Sequence, residues 1–205
     1  MILNIILISV MASIVVVDQI SKALVVNLMD LGQEIEIING FFRLKYITNP
    51  GMSFSLFDGD GQRWVFMVIS PIALIAIAVY LFAFSKDKLL TKLGLSFIFA
   101  GGFSNMIDRI FYGENLFHGE VIDMFDFYGI WDAIFNVADS FVCIGAALTI
   151  TTLLYDIIVT EGIKKKKAEE SVTQGGSMNE NASIEPPQIE GDKEMGEKSE
   201  GEEEK

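Results

Sequence analysis

Hydrophobic residues gather in four long runs, approximately Ile2 to Val17 (continuing to Val26), Trp64 to Phe84, Leu93 to Phe111 and Ile134 to Val159. Each is close to the roughly 20 residues that a helix rising about 1.5 Å per residue needs to cross a bilayer core. The alternative is four helices buried in a soluble core. It fails on size, because the first 168 residues cannot wrap four all-apolar helices in a polar shell. The pattern therefore predicts an all-α polytopic membrane protein with four transmembrane helices. The first run has no basic leader and no small-x-small cleavage site, so it reads as a retained span rather than a cleaved signal peptide.

Between the first two runs the period changes. In "EIEIINGFFRLKYI", Ile35 and Ile37 alternate with Glu34 and Glu36, and Leu44 and Tyr46 alternate with Arg43 and Lys45, on either side of Asn39-Gly40. An Asn-Gly pair between alternating flanks predicts a β-hairpin, placed within an outer β segment of about residues 30 to 62. In the following "TNPGMSFSLF", Pro50 and Gly51 predict a turn that aims Asn49 and Ser53 in a definite direction. Pro71 predicts a bend in the second helix. Small residues Ser96, Ala100, Gly101, Gly102 and Ser104 predict a close-packing face on the third.

Charge separates the chain into two parts. The formal net charge is −13, but twelve acidic and three basic residues from Glu169 onward leave the preceding part at −4. That acidic segment has no aromatic residue and almost no apolar periodicity, and it reads as a disordered tail. The expected division is a transmembrane domain over residues 1 to 163 and a basic patch with acidic tail over residues 164 to 205. Lys86, Lys88 and Lys92 are assigned to the loop between runs two and three, and Lys164 to Lys167 follow run four. The positive-inside rule places both groups, and both termini, in the cytoplasm. The tail is then cytoplasmic, and no nucleic-acid partner is expected.

With that topology, "DQISK" (Asp18 to Lys22) closes the outer end of helix one, "SNMIDR" (Ser104 to Arg109) closes that of helix three, and "FNVADS" (Phe135 to Ser140) opens helix four from the same side. Asp18 and Lys22 are four apart, Asn105 and Asp108 three apart, and Asn136 and Asp139 three apart, so each pair shares a helix face. Ionisable groups at such depths face a bundle interior or a wet cavity. Lys22 and Arg109 could instead snorkel to headgroups, but Asp139 is short and lies among Phe135, Val137 and Ala138. It points to a polar pocket.

The possible chemistries narrow quickly. His118 is the one histidine and lies in an outer loop far from Cys143, the one cysteine, which is expected to be a small buried residue in helix four. A Ser53–Lys22 dyad is conceivable, but no spacing selects it. No cluster has metal-ligand spacing, and no cofactor is implied. Carboxylates remain: Asp139, with Asp108, Asp123, Asp126 or Asp132 as partner. Two carboxylates in a partly dry site share a proton, and such a pair can activate water while protonating a carbonyl oxygen. A proton or ion relay through Asp18, Lys22, Asp108, Arg109 and Asp139 is the alternative. It would need polar groups at several depths, whereas the inner halves of the four runs read as bare of charge. An assembly subunit indifferent to single aspartate replacements is a third reading.

The ordered motifs "DQISK", "NPGMSF", "NMIDR", "VIDMF" and "FNVADS", over about residues 14 to 142, resemble the lipoprotein signal peptidases, also called signal peptidase II, of bacterial inner membranes. The resemblance implies an aspartic endopeptidase that removes the signal peptide before a diacylglyceryl-modified cysteine, with its site near the outer leaflet. It implies Asp123 and Asp139 as the catalytic pair and Asn49, Asn105, Asp108, Arg109 and Asn136 as polar residues around it. Asp18 and Lys22 become structural, and the hairpin an extracytoplasmic β-cradle. Diacylglyceryl prolipoproteins and membrane lipids are the implied partners, and a monomer is expected. Ser104 stands where the family commonly has Gly, and Met52 where it often has Ala.

Overall fold

The computed structural model describes residues 2–50, 61–83, 88–113 and 118–179. Its elements are α1 (Ile2–Leu28), β1 (Glu34–Ile38), β2 (Phe42–Asn49), α2 (Gly61–Ala83), α3 (Leu89–Phe111), β3 (Val121–Asp126) and α4 (Val137–Asn179). The turn residues Gly51 and Ser53, with Met52 and Lys86, lie outside the described residues.

The helices are apolar on the outside. On α1 the buried residues are Leu7, Met11, Ile14, Asp18, Lys22 and Val25, a stripe with helical spacing that contains both of the helix's charges. Ile5, Ile8, Val16, Val17, Ile20 and Leu24 on the other faces are about half exposed or more. A helix that hides its ions and shows its aliphatic side chains is built for lipid. By length and composition three helices can cross a membrane, Ile2–Leu28, Leu89–Phe111 and Val137–Lys165, while Met67–Ala83 is a shorter apolar helix. The sequence pattern assigns four spans. Among the described residues three of those runs reach that length, and the second is represented by Met67–Ala83.

Several boundaries differ from expectation. "DQISK" does not close α1, which continues to Leu28. The lysine assigned to the inner loop, Lys92, lies inside α3 and is 2 % exposed. Expected disorder from Glu169 gives way to helix through Asn179, because Lys164 to Lys167, Ala168, Glu169 and Glu170 are all strong helix formers. The chain divides into the units Met1–Ile158 and Val159–Lys205. Cys143 is exposed rather than buried, since its side of α4 is not the one that packs on α3.

That packing runs through glycine. A Cβ on Gly101 would fall 2.3 Å from the Ala138 carbonyl, and one on Gly145 would fall 2.4 Å from the Gly94 carbonyl. Two backbones can approach this closely only where side chains are absent. The crossing sets the first turn of α4 directly against Gly101, one turn from Asn105.

The expected hairpin exists, with Gly40 at φ 68° in its turn. It is part of a three-stranded antiparallel sheet in the order β1-β2-β3. Val25 of α1 and Met29, just past its end, pack with Tyr46, Ile122 and Met124 beneath it.

Candidate active site

Lys22 is the centre of a buried polar network. It is 1 % exposed, and its ammonium lies 2.7 Å from Asp18 Oδ2, 2.6 Å from Asp108 Oδ2 and 2.9 Å from Asn105 Oδ1. An ammonium has three protons, and here each has an acceptor. Because Lys22 can only donate, it fixes Asn105 with its oxygen inward, so the Asn105 Nδ2 donates outward to Asp139 Oδ1 at 2.7 Å.

Asp18 ties the network to α4. Its Oδ1 accepts the Ala138 N–H at 2.8 Å and its Oδ2 accepts the Ser104 hydroxyl at 2.7 Å. A carboxylate from one helix thus sits on the N-terminal turn of another, where the helix dipole favours negative charge. Ser104, the departure from the family's usual Gly, is wholly buried and satisfied. Gln19, which sequence reasoning passed over inside "DQISK", donates to Asp108 Oδ1 at 2.9 Å and to Ser104 Oγ at 3.1 Å.

Asn136 and Asp139 form a reciprocal cap on α4. The Asp139 N–H donates to Asn136 Oδ1 at 2.9 Å, and the Asn136 N–H donates to Asp139 Oδ2 at 3.3 Å. This is the capping-box geometry, with Asn and Asp in place of the usual Ser and Glu. It answers the local question of why a carboxylate heads an apolar helix. The Asn136 amide nitrogen then reaches Asp123 Oδ1 at 2.7 Å, so one buried asparagine holds both carboxylates.

Asp123 arrives from β3 and is 1 % exposed. Backbone bonds between Phe125 and Phe135 fasten β3 to the segment leading into α4. The other side of Asp123 depends on a bulge in β2. Leu44 is opposite Phe125 and Ile47 opposite Asp123, so Lys45 and Tyr46 together face Met124. One extra residue reverses the faces of the strand beyond it. Asn49 therefore joins the Asp123 face and donates Nδ2 to Asp123 Oδ2 at 3.0 Å. With a regular ladder, Thr48 would occupy that face instead. Tyr46 stabilises the bulge: its N–H donates to the Gln33 carbonyl, its carbonyl accepts the Gly32 N–H, and its ring is buried.

Burial pushes the Asp123 carboxyl up from 3.8 to about 7; the Asn49 and Asn136 donors oppose this, and the nearby negative charge of Asp139 adds to it. The other candidate partners of Asp139 are occupied or remote. Asp108 belongs to the Lys22 network, Asp126 is bound to Arg43 at 2.5 Å, and Asp132 is exposed. Arg109 is half-buried, with Nη1 3.4 Å from the Asn105 carbonyl. His118 is exposed. Beside Asp139 lies a cavity of about 360 Å³ lined by Phe127, Ile130, Trp131, Phe135, Ser140 and Cys143. Among the described residues, no group of three or more His, Cys, Asp or Glu is disposed to hold a metal ion.

The family model of signal peptidase (SPase) II matches residues 10–155 of this chain. The lipoprotein signal peptidase of Fusobacterium nucleatum subsp. nucleatum is 38% identical over 146 residues, covering 69% of this chain and 82% of that one. That of Geobacter sulfurreducens is 41% identical over 137 residues, covering 65% and 81%. A bacterial membrane enzyme solved by the in meso method at 2.3 Å resolution superimposes with a TM-score of 0.63 at 32% identity, covering 74% of this chain and 88% of that one. With the motifs, the apolar-faced helices and the buried carboxylate site in agreement with these matches, the chain belongs to the signal peptidase II family of membrane proteases.

Proposed function

We propose that this protein is an aspartic endopeptidase that cleaves diacylglyceryl-modified prolipoproteins before the lipidated cysteine, with Asp123 and Asp139 as the catalytic pair. The observation that carries the assignment is Asn136, whose amide nitrogen bonds Asp123 while its backbone N–H and side-chain oxygen bond Asp139. Two carboxylates from separate elements, held by one residue in a partly dry site, cannot both ionise cheaply and share a proton. The ionised member takes a proton from water, and the resulting hydroxide attacks the scissile carbonyl. The protonated member donates to the carbonyl oxygen. Collapse of the tetrahedral intermediate then returns a proton to the leaving amine. With Asp123 at about 7, the singly protonated pair is well populated near neutrality.

Asn105, Asp108 and Asn136 act in this reading by holding the pair, since all three are buried. Asn49 and Arg109, both half-buried, are assigned to the substrate backbone and the glyceryl ester region. The apolar cavity beside Asp139 suits aliphatic substrate groups. The site belongs near the outer leaflet of a bacterial inner membrane, with α2 as the fourth span and both termini cytoplasmic. Lys88 and Lys92 at the start of α3, together with Lys164 to Lys167, support that orientation. One chain supplies both carboxylates, which supports a monomer. The relay alternative loses ground because Lys22, Asp18 and Asp108 are closed on one another.

The test is incubation of purified protein with a diacylglyceryl-modified prolipoprotein and, separately, with its unmodified precursor. A mass loss equal to the signal peptide is expected from the lipidated form, with little from the other. Equal cleavage of both would contradict the lipid requirement.

A further inference from the structure

The cavity beside Asp139 has a size and a lining that proton transfer between two carboxylates does not require. Phe127, Phe135, Asp139 and Ser140 in its wall are half-buried, while Ile130, Trp131 and Cys143 at its rim are exposed. The polar groups of the wall are already engaged. The Asp139 oxygens accept from the Asn105 amide and the Asn136 N–H, and the Ser140 hydroxyl donates to the Asn136 carbonyl at 3.0 Å. What remains for a ligand is hydrocarbon, aromatic rings and one thiol, which packs as a small apolar group. The wall is also fixed. The Phe127 and Phe135 rings stack at 5.7 Å, braced by Phe125, Phe41 and Phe42, and the Ile130 and Trp131 N–H groups both donate to the Phe127 carbonyl. The cavity is therefore formed before a ligand arrives.

Depth and volume identify what enters. Cys143 lies six residues into α4, about 9 Å along its axis and inside the candidate span, and its neighbour Ile144 is exposed too. The rim thus opens at the level of acyl chains. A cavity of about 150 Å³ holds one six-carbon benzene ring, so at that density the cavity of about 360 Å³ holds about 14 carbons. A branched aliphatic side chain would leave more than half of it empty, whereas a fatty acyl chain fills it. In the function proposed above, the lipidated cysteine follows the scissile bond directly. Its chains are then beside Asp139 when that bond meets the pair.

We propose that this cavity seats one acyl chain of the substrate's diacylglyceryl group, and that Cys143, small enough to keep the space open, makes cleavage selective for chain length. The inference rests on the proposed function. Lipid tails are as apolar as the cavity, so seating a chain gains little hydrophobic energy. What the cavity supplies is placement of the neighbouring peptide bond. The test is kcat/KM of the full-length protein for one prolipoprotein carrying either two hexadecanoyl or two butanoyl chains on its glyceryl group. The wild type is expected to favour the long chains about tenfold. Cys143→Trp fills the cavity from an exposed position, and the ratio should fall to near one. A second measurement needs no variant: a hexadecanoyl precursor with a diazirine on one chain, irradiated with the wild type, should label the segment from Phe127 to Cys143. No length preference in the wild type, an undiminished preference in Cys143→Trp, or labelling confined to other segments would each overturn the inference while leaving the proposed function in place. A wild type that cleaves neither precursor would sink both, so the two failures are told apart.

Discussion

Both ends of α3 bury polar residues, and they treat them differently. At one end Ser104, Asn105 and Asp108 are bonded to α1, β3 and α4. At the other, Lys92 and Ser96 are equally buried, and the Ser96 hydroxyl has no hydrogen bond among the described residues. In a low-dielectric bundle a saturated network has one arrangement, which is what proton transfer between fixed groups needs.

The strongest way to break the first end is Lys22→Met. It leaves Asp18 and Asp108 buried without their cation, and a cost of about 3–5 kcal/mol is expected, read as a large drop in thermal midpoint. A change near zero would mean that the network does not hold the bundle together.

The next effect depends on pH. Between the ordinary carboxyl value of 3.8 and about 7, folded Asp123 keeps a proton that the unfolded chain has released. Its contribution to stability is therefore full below about pH 4 and is lost as pH rises through 7. Asp123→Asn removes that dependence, so the variant should gain on the wild type in Tm between pH 5 and pH 8. A constant difference across that range would contradict the raised value.

Asn136→Ala should cost about 1–2 kcal/mol through loss of the α4 cap and lower the cleavage rate about a hundredfold or more, because both carboxylates lose their shared support. Unchanged kinetics with reduced stability would leave Asn136 a cap only. The smallest effect is expected at the opposite end. In detergent free of phospholipid, Ser96→Ala should shift stability by less than about 0.5 kcal/mol, since no hydrogen bond is lost.

The polar half of this comparison was legible in the sequence because helical spacing is a strong signal. Asp18 with Lys22, Asn105 with Asp108, and Asn136 with Asp139 each announce a shared face, and Asn39-Gly40 announces the hairpin. β3 was not legible. Val121–Asp126 is buried on both faces, so it lacks the alternation that marks a half-exposed strand. Hence spacing alone could not choose Asp123 among four candidates. The β2 bulge was equally hidden, since Arg43 to Tyr46 alternates regularly and the extra residue shows only in the pairing with β3. Lys92 was misplaced because a lysine beside other lysines reads as loop, and only packing shows it inside the helix.

The central claim is that Asp123 and Asp139 act as one proton-sharing pair, and the most direct measurement is cleavage of a diacylglyceryl prolipoprotein by Asp123→Asn, Asp139→Asn and the double variant. Each amide preserves shape but cannot carry the proton, so each single variant should lose about a thousandfold or more in rate, and the double variant should lose little further because the residues act as a unit. Substantial activity in either single variant, with membrane insertion and folding intact, would contradict the pair.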